Sequence, residues 1–326
     1  MTHIKDDCVH YDIKEIEMTR DKIQRLVNEL SDNSSLNYVI VKGTAAGDPG
    51  HMNYEKNNLR LQGMTIDMIG ADEDSGLVGM RFFQHPVFAI ARADDPLFIN
   101  IKRPEVVGEH HLLPEDWLPG AKSVLSVFLP YEHGTVEANT RDPIVPAIEW
   151  VYTRVDGQRF LLEIGAKIRD ALIADSYLAI VPCADDRCVM QNSRIPVSGT
   201  EHIPPYSTNW SERHVGYVAG LGTFGMSTNF ISKAGCAGRL ISIITDWETA
   251  PDVRDYDDWL GYCNRCGTCI KRCQAKAHFH DKHGKDHDKC LAFMKKAAEM
   301  HAPRYGCGKC QSGLPCDYKP MKPQKL

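Results

Sequence analysis

Cysteine spacing near the C-terminal end of the sequence constrains this chain more than any other feature. Eight of its twelve cysteines follow residue 262, and YCNRCGTCIKRCQAKAH, residues 262–278, contains four of them. Cys263, Cys266, Cys269 and Cys273 have the spacing C-x2-C-x2-C-x3-C. Three thiolates at x2 spacing can surround one face of an iron–sulfur cubane. In a reducing compartment such dense cysteines indicate metal ligands rather than disulfides.

A second group of cysteines follows and completes a set of eight, the number that two [4Fe–4S] clusters need. In two-cluster ferredoxins the last cysteine of the C-x2-C-x2-C-x3-C run ligates the other cluster. A crossed assignment therefore predicts the ligand sets Cys263, Cys266, Cys269, Cys316 and Cys273, Cys290, Cys307, Cys310. The second set departs from the ferredoxin pattern, with Gln274 where proline is common and five residues between Cys310 and Cys316.

Zinc is the competing interpretation of these thiols. Cys263 and Cys266 together with Cys307 and Cys310 would form a four-thiolate tetrahedral site. Zinc would leave the remaining cysteines of the tight loop unexplained, so the ligand count favours iron–sulfur. The histidine-rich stretch HFHDKHGKDHDKC, residues 278–290, is interpreted as a polar loop between ligands rather than as a further metal site.

Composition and charge indicate in which cellular compartment this protein works and which partners it can bind. The net charge of −5 supplies no basic field for nucleic acid. No run of about 18 apolar residues is present, and the first residues contain neither a secretory h-region nor a twin-arginine motif. We therefore expect a cytoplasmic protein. The acidic stretch TDWETAPDVRDYDDWLG, residues 245–261, predicts a linker, with a first domain at 1–250 and a cluster domain at 251–326.

Residues before this linker alternate between helix and strand patterns. Residues 19–32 and 157–176 carry apolar side chains at three- and four-residue spacing, which predicts amphipathic helices. Short apolar runs at 123–131, 177–183 and 238–246 predict buried strands. The core is therefore expected to be α/β or α+β.

A glycine-rich segment lies between the last two of these runs. Gly220, Gly222 and Gly225 form G-x-G-x-x-G within AGLGTFG, residues 219–225. The motif does not follow a clear strand in a short βαβ unit, so a dinucleotide fingerprint is doubtful. Glycines do allow a backbone to approach a bulky ligand closely.

Together these features resemble the epoxyqueuosine reductase and reductive dehalogenase family of corrinoid iron–sulfur enzymes. The matching residues are Glu212, AGLGTFG, the run GRLISIITD and the two cysteine groups, in that order. The resemblance implies an α/β (α+β) cobalamin-binding core with a mixed sheet, followed by a small ferredoxin-like domain with two [4Fe–4S] clusters. The clusters would reduce base-off cobalamin to Co(I).

The resemblance also implies which residues would hold the cofactor. The AGLGTFG loop would contact the corrin or its nucleotide tail through backbone groups. The residues expected to bind the cofactor are Ser198, Gly199, Trp210, Glu212, Gly220, Leu221, Gly222, Thr223, Phe224 and Gly225. Packing, an ion pair of Glu212 with Arg213, and a plain turn at Ser198 are the structural alternatives for members of this set.

The catalytic residues that we predict are Tyr206, Arg213 and His214. Tyr206 stands six positions before Glu212, where the tRNA-modifying branch of the family has an acidic residue. With the acidic net charge, this argues against tRNA as the substrate. Tyrosine is the proton donor in the dehalogenase branch, and a cation such as Arg213 or His214 would lower its pKa. A turn tyrosine and a helix histidine are the structural alternatives.

The predicted function is reduction of an unidentified small organic molecule by a cobalamin-dependent iron–sulfur enzyme in an anaerobic cytoplasm. An external low-potential donor of the ferredoxin or flavodoxin type would supply the electrons. The alternative is a ferredoxin-like electron-transfer protein, or a reductive activator of a separate corrinoid protein. A zinc-bearing binding module is a third hypothesis. Residues 92–123 suit either a lid or a homodimer surface, and Cys183 and Cys188 are interpreted as structural.

Overall fold

The computed structural model describes residues 18–45, 66–196, 198–280 and 284–321 and has a mixed α/β architecture. The helices are α1 Arg20–Asn33, α2 Pro96–Ile101, α3 Pro114–Trp117, α4 His133–Arg141, α5 Ile148–Val155, α6 Gln158–Ala174, α7 Glu212–Val218, α8 Thr268–Lys271 and α9 His287–His301. The strands are β1 Val87–Arg92, β2 Ser123–Pro130, β3 Ala179–Ile180, β4 Met190–Gln191, β5 Ser207–Thr208, β6 Gly222–Phe224, β7 Phe230–Ser232 and β8 Gly238–Thr245. Within these ranges no helix is long and apolar enough to cross a membrane.

A four-stranded sheet with the order β1-β2-β8-β3 forms the centre. All eight residues of β2 are buried, because helices cover both faces of the sheet. Leu125 and Val127 point into the core that α6 covers, whereas Val124 and Phe128 point into the core beside α7. The alternation follows from the two-residue period of a strand.

The central sheet corrects one expectation. Its three strand pairings are all antiparallel, so the mixed sheet implied by the family resemblance is wrong for the described residues. β8 returns beside β2 in the opposite direction, with Ser126 opposite Ser242 at the centre of the register.

Most of the predicted elements are confirmed. The helix expected at 19–32 is α1, which begins after Thr19, whose hydroxyl accepts a hydrogen bond from Lys22 N at 3.1 Å. The helix expected at 157–176 is α6, and the runs at 123–131 and 238–246 are β2 and β8. The run at 177–183 forms only the two-residue β3, because Pro182 opens a 3₁₀ turn after it.

The cysteine-rich segment packs directly on the sheet domain. The stretch 248–256 leads to it without regular secondary structure, and Asp252 accepts a hydrogen bond from Ile90 N at 2.8 Å. Arg254 pairs with Asp95 at 2.8 Å. Residues 262–280 and 284–321 contain α8 and α9 but no named strand, so a ferredoxin-like arrangement of this segment stays a prediction.

Candidate iron–sulfur site

The first group of thiols lines a cavity between the cysteine loop and the β6–β7 hairpin. Its walls include Cys263, Cys266, Cys269 and Cys316, together with a fifth cysteine, Cys236. Cys263 is buried, whereas Cys266 is exposed and marks the side of the cavity nearest to solvent.

Two reversals of the backbone bring these thiols to one cavity. Arg265 and Gly267 both have a positive φ, of 58° and 72°, which turns the chain back between successive cysteines. α8 then begins at Thr268 and carries Cys269 on its first turn.

The second group comes from three separate parts of the chain. Cys273 follows α8, Cys290 lies in the first turn of α9, and Cys307 and Cys310 follow α9. Cys290 and Cys310 raise the pKa of Cys307 through electrostatic interaction. Cys290 and Cys273 raise the pKa of Cys310 in the same way. Similarly, Cys263 interacts with Cys316 and Cys266. Cys269 interacts with Cys310 as well as with Cys316 and Cys263, so the crossed assignment of the eight thiols to two clusters stays a prediction.

Burial governs the protonation of these thiols. It raises the pKa of Cys269 to about 11 and that of Cys307 to about 12, because a thiolate loses its hydration in the interior. Cys236 Sγ and Cys316 Sγ lie 3.8 Å apart, and this contact raises the pKa of Cys236 and lowers that of Cys316. Metal binding at these positions would therefore release protons.

Hydrogen-bond donors point at several of the sulfur atoms. Ala277 N lies 3.4 Å from Cys273 Sγ, and Asn229 Nδ2 lies 3.2 Å from Cys310 Sγ. Donors of this kind stabilise the extra negative charge of a reduced iron–sulfur cluster. The number of thiols, their burial and these donors together fit two [4Fe–4S] clusters.

A buried lysine holds the second group against the sheet domain. Lys309 lies between Cys307 and Cys310 in sequence and is 1% exposed. Its Nζ donates to the carbonyl oxygens of Asn139, Asp142 and Val145 at 2.8, 2.7 and 2.8 Å. These acceptors lie at and after the C-terminal end of α4, where a cation is favourable. Sequence reasoning missed this residue, because a lysine between cysteines carries no pattern of its own.

Most of the residues expected to bind a corrin are buried in the fold. Trp210 is 2% exposed and packs against Phe98, His111 and Trp117, and its Nε1 donates to Ser242 Oγ at 2.9 Å. Trp210 therefore packs in the protein core, and a cofactor contact of this residue stays a prediction.

The glycine-rich loop is buried as well, and its contact with a corrin through backbone groups stays a prediction. Leu221, Thr223 and Phe224 are buried, and Thr223 Oγ1 accepts a hydrogen bond from Tyr262 N at 2.9 Å. A Cβ on Gly222 would lie 2.1 Å from the carbonyl oxygen of Ile231, so this glycine is needed for close strand pairing.

The remaining members of the predicted cofactor set have different positions. Gly220 ends α7 with a φ of +84°, and Gly225 lines the first thiol cavity. Glu212 begins α7, whereas Ser198 and Gly199 lie exposed in a turn. For Ser198, Gly199 and Glu212 a cofactor contact stays a prediction.

The predicted catalytic residues surround the second thiol group without forming one contact set. Arg213 donates to Thr228 O at 3.1 Å, and its charge acts on Cys310 and Cys290. His214 Nδ1 lies 2.7 Å from Ser211 Oγ, and its ring packs on Phe224.

Tyr206 reaches the start of α9 instead. Its hydroxyl donates to Asp288 Oδ1 at 2.5 Å, and its ring stacks on His287 with a centroid separation of 4.8 Å. The bond to Asp288 raises the pKa of Tyr206. The expected lowering of this pKa by a cation is therefore wrong, because the carboxylate is the stronger influence.

The histidine-rich stretch is only partly described. His278 is buried, and burial lowers its pKa to about 4. His280 is exposed, and His283 lies outside the described residues. Among the residues that the structure describes, no group of three His, Cys, Asp or Glu side chains is arranged to hold a single metal ion.

No protein-family model matches the sequence, and no curated protein matches it either. Several solved structures do match the fold of this chain. Epoxyqueuosine reductase from Streptococcus thermophilus is 18% identical, over 74% of this chain and 64% of that one, with a TM-score of 0.41. Epoxyqueuosine reductase from Bacillus subtilis is 17% identical, over 74% and 66%, with a TM-score of 0.44. The catabolic reductive dehalogenase NpRdhA is 14% identical, over 72% and 30%, with a TM-score of 0.45.

The matched length, the sequence identity and the TM-score are all low in these comparisons. The chain spans under two thirds of the epoxyqueuosine reductases and about a third of the dehalogenase. Identities of 14–18% and TM-scores below 0.5 assign no activity. The solved structures that this chain resembles are nevertheless epoxyqueuosine reductases and reductive dehalogenases, the two kinds of protein that its sequence motifs resemble.

Proposed function

We propose that this chain is an iron–sulfur oxidoreductase that passes low-potential single electrons through two [4Fe–4S] clusters to a small organic acceptor. The observation that supports the proposal is the convergence of eight thiols from distant parts of the chain. Four of them line one cavity, and the other four interact with one another. Residues distant in sequence complete each group, Cys316 in the first and Cys290, Cys307 and Cys310 in the second.

The chain's own residues define a direction for the electrons. The clusters, when bound, supply one-electron transfer at low potential. The exposed Cys266 places the first group nearest to solvent, where an external ferredoxin- or flavodoxin-type carrier can approach. Cys269 of the first group interacts with Cys310 of the second, so the two groups approach each other at these thiols.

An acceptor site is available beside the second group. A cavity of about 450 Å³ is lined by Arg194, Tyr206, Phe279, Lys285 and His287, among others. His287 and Cys290 share the first turn of α9, and the charge of Lys285 acts on Cys310. Asp286 and Asp288 line the same cavity and balance the charges of Arg194 and Lys285. The rings of Tyr206 and Phe279 therefore suit a planar aromatic acceptor without selecting for an anion.

A corrinoid-dependent reductase is the second candidate function, favoured by the order of the sequence motifs. Most of the residues predicted to hold the corrin are buried, so this candidate requires the glycine-rich segment to meet the corrin through backbone groups. An epoxyqueuosine reductase has been solved with a tRNA stem loop. A tRNA substrate therefore stays open beside the small organic acceptor.

Metal analysis of anaerobically purified protein tests the proposal. We expect about eight irons and eight sulfides per chain. Cys269→Ser and Cys310→Ser should each lose about half of the iron, because each removes a ligand of one cluster. Cys183→Ser and Cys188→Ser are the matched controls, since neither thiol belongs to either group.

The outcomes separate the hypotheses. Stoichiometric zinc with little iron would overturn the proposal. Loss of iron from the control variants as well would show that the two groups are not the ligand sets. Incubation with cobalamin before gel filtration tests the second candidate, because a corrinoid reductase should retain about one cobalt per chain.

A further inference from the structure

The turn of the β6–β7 hairpin, residues 225–229, contacts thiols of both groups. On one side, Met226 and Ser227 line the first thiol cavity together with Cys263 and Cys269. A hydrogen bond of the Met226 backbone lowers the pKa of Cys263, and one of the Ser227 side chain lowers that of Cys269, against the effect of burial. Both of these cysteines belong to the first group. The turn therefore supplies two donors to the first predicted cluster.

On its other side the same turn contacts the second group. Asn229 Nδ2 lies 3.2 Å from Cys310 Sγ and 2.9 Å from Cys310 O. Asn229 also lines the cavity of the first group. Its side chain therefore stands between the two sets of thiols.

A hydrogen bond joins the two sides. Asn229 Nδ2 donates to Ser227 Oγ at 3.1 Å, and the two residues are 6% and 4% exposed. Because Ser227 Oγ accepts from the amide, its single proton is left for the Cys269 thiol. The connected path runs from Cys310 through Asn229 and Ser227 to Cys269.

The backbone holds this turn rigidly. Gly225 N donates to Asn229 O at 2.8 Å, and Thr228 N donates to Gly225 O at 2.9 Å. Arg213 braces the turn from α7 through its bond to Thr228 O. A donor fixed by several bonds keeps its orientation at the sulfur atom while the charge of that sulfur changes.

We propose that Ser227 and Asn229 set the reduction potentials of the two clusters and couple them to each other. The inference rests on the proposed function, since it requires clusters on both groups. An N–H or O–H donor at a ligand sulfur favours the reduced cluster, because reduction adds negative charge there. Both are positioning residues, acting through cysteine sulfur.

An EPR-monitored redox titration of anaerobically reconstituted protein tests the proposal. The Cys269→Ser and Cys310→Ser variants assign each signal to one group. Ser227→Ala should lower the potential of the first cluster alone, because Asn229 keeps its bond to Cys310. Asn229→Ala should lower the potential of the second cluster, and that of the first to a smaller extent, since Ser227 loses its orienting bond.

The expected size is about a tenfold change in the equilibrium constant for reduction, which is 59 mV for one electron. Ser227→Thr keeps the hydroxyl and should restore the potential of the first cluster. Thr228→Ala is the matched control in the same turn, because Thr228 is bonded there through its backbone.

Each result decides the question. If Ser227→Ala and Asn229→Ala bind the full complement of iron and keep the potentials of the unmodified protein, the inference is wrong and the proposed function stands. Equal shifts in Thr228→Ala would also overturn it. If Asn229→Ala loses iron, Ser227→Ala and Ser227→Thr still decide, because they leave the bond to Cys310 in place. Absence of iron from the unmodified protein would instead remove the proposed function.

Discussion

His111 shows how strongly burial in the core changes the pKa of a single side chain. Its side chain is fully buried, and its ring lies 5.3 Å from that of Trp210. His111 Nε2 accepts a hydrogen bond from Ser211 N at 3.1 Å, so this nitrogen must be unprotonated. Burial lowers the pKa of His111 to about 3, because the charged ring would lose its hydration.

This shift predicts acid sensitivity. The unfolded chain binds a proton at His111 near pH 6.5, whereas the folded chain does so only near pH 3. The stabilising contribution is therefore complete above pH 6.5 and is lost progressively as the pH falls toward 3. Between pH 6.5 and 5.5 the free energy of unfolding should fall by about 1 kcal/mol from this residue.

Thermal unfolding at several pH values checks the prediction. His111→Gln keeps an acceptor for Ser211 N but does not titrate, so its midpoint should depend less on pH than that of the unmodified protein. The low pKa of His278 acts in the same direction, which leaves some pH dependence in the variant. Identical pH profiles for the two proteins would contradict the prediction.

Among the single residues of the candidate site, some were predictable from the sequence and others were identified only in the structure. The eight cysteines were predictable as candidate ligands, because their spacing is typical of a cluster-binding segment. Cys236, Ser227 and Asn229 were not, since an isolated cysteine, serine or asparagine has no spacing that indicates where its side chain points. Their roles depend on which thiols the hairpin reaches.

Among the elements, the β6–β7 hairpin contacts both cysteine groups through its turn. Its two strands pair over only three residues each, from Gly222 opposite Ser232 to Phe224 opposite Phe230. G-x-G-x-x-G in this segment suggested a ligand loop, but the structure uses Gly222 for strand pairing. A glycine in a sequence does not reveal whether a ligand or another strand requires the space.

Substitution of Gly222 should therefore be costly. Gly222→Ala puts a Cβ 2.1 Å from Ile231 O, and separating the strands should reduce the free energy of unfolding by about 2–3 kcal/mol. The variant should also bind less iron, because the turn that contacts both groups would move. Chemical denaturation and iron analysis measure the two effects.

Gly134→Ala is the control for this substitution. Gly134 lies in α4, and a Cβ there meets no atom within 4 Å. Alanine should be neutral or stabilise the helix by up to about 1 kcal/mol. Equal stability of the two variants would show that the space around Gly222 is not limiting.

For the whole molecule, the contacts between sheet domain and cysteine segment argue against independent folding. Arg304 makes a bidentate pair with Asp156 at 2.6 and 2.7 Å, and both side chains are buried. Cys236 N donates to Cys316 O at 2.8 Å. Removing one partner of a buried ion pair costs about 3–5 kcal/mol, because the other charge stays buried.

A fragment of residues 1–250 tests this interdependence. It would lack the partners of Asp156, Asn139 and Cys236, and we expect it to be aggregated or to lack a cooperative thermal transition. Circular dichroism and gel filtration measure these properties. A monomeric fragment with a sharp transition would support the domain boundary that the sequence suggested near residue 250.

The sequence by itself determined the local features of this protein. Hydrophobic periodicity predicted α1, α6, β2 and β8, and cysteine spacing predicted two groups of metal ligands. Only the tertiary structure decided that the sheet is antiparallel, that Trp210 belongs to the core and that the glycine-rich segment contacts the thiols. Periodicity and spacing arise within a few turns of chain, whereas strand direction and side-chain enclosure depend on residues more than a hundred positions apart, such as Ser126 and Ser242.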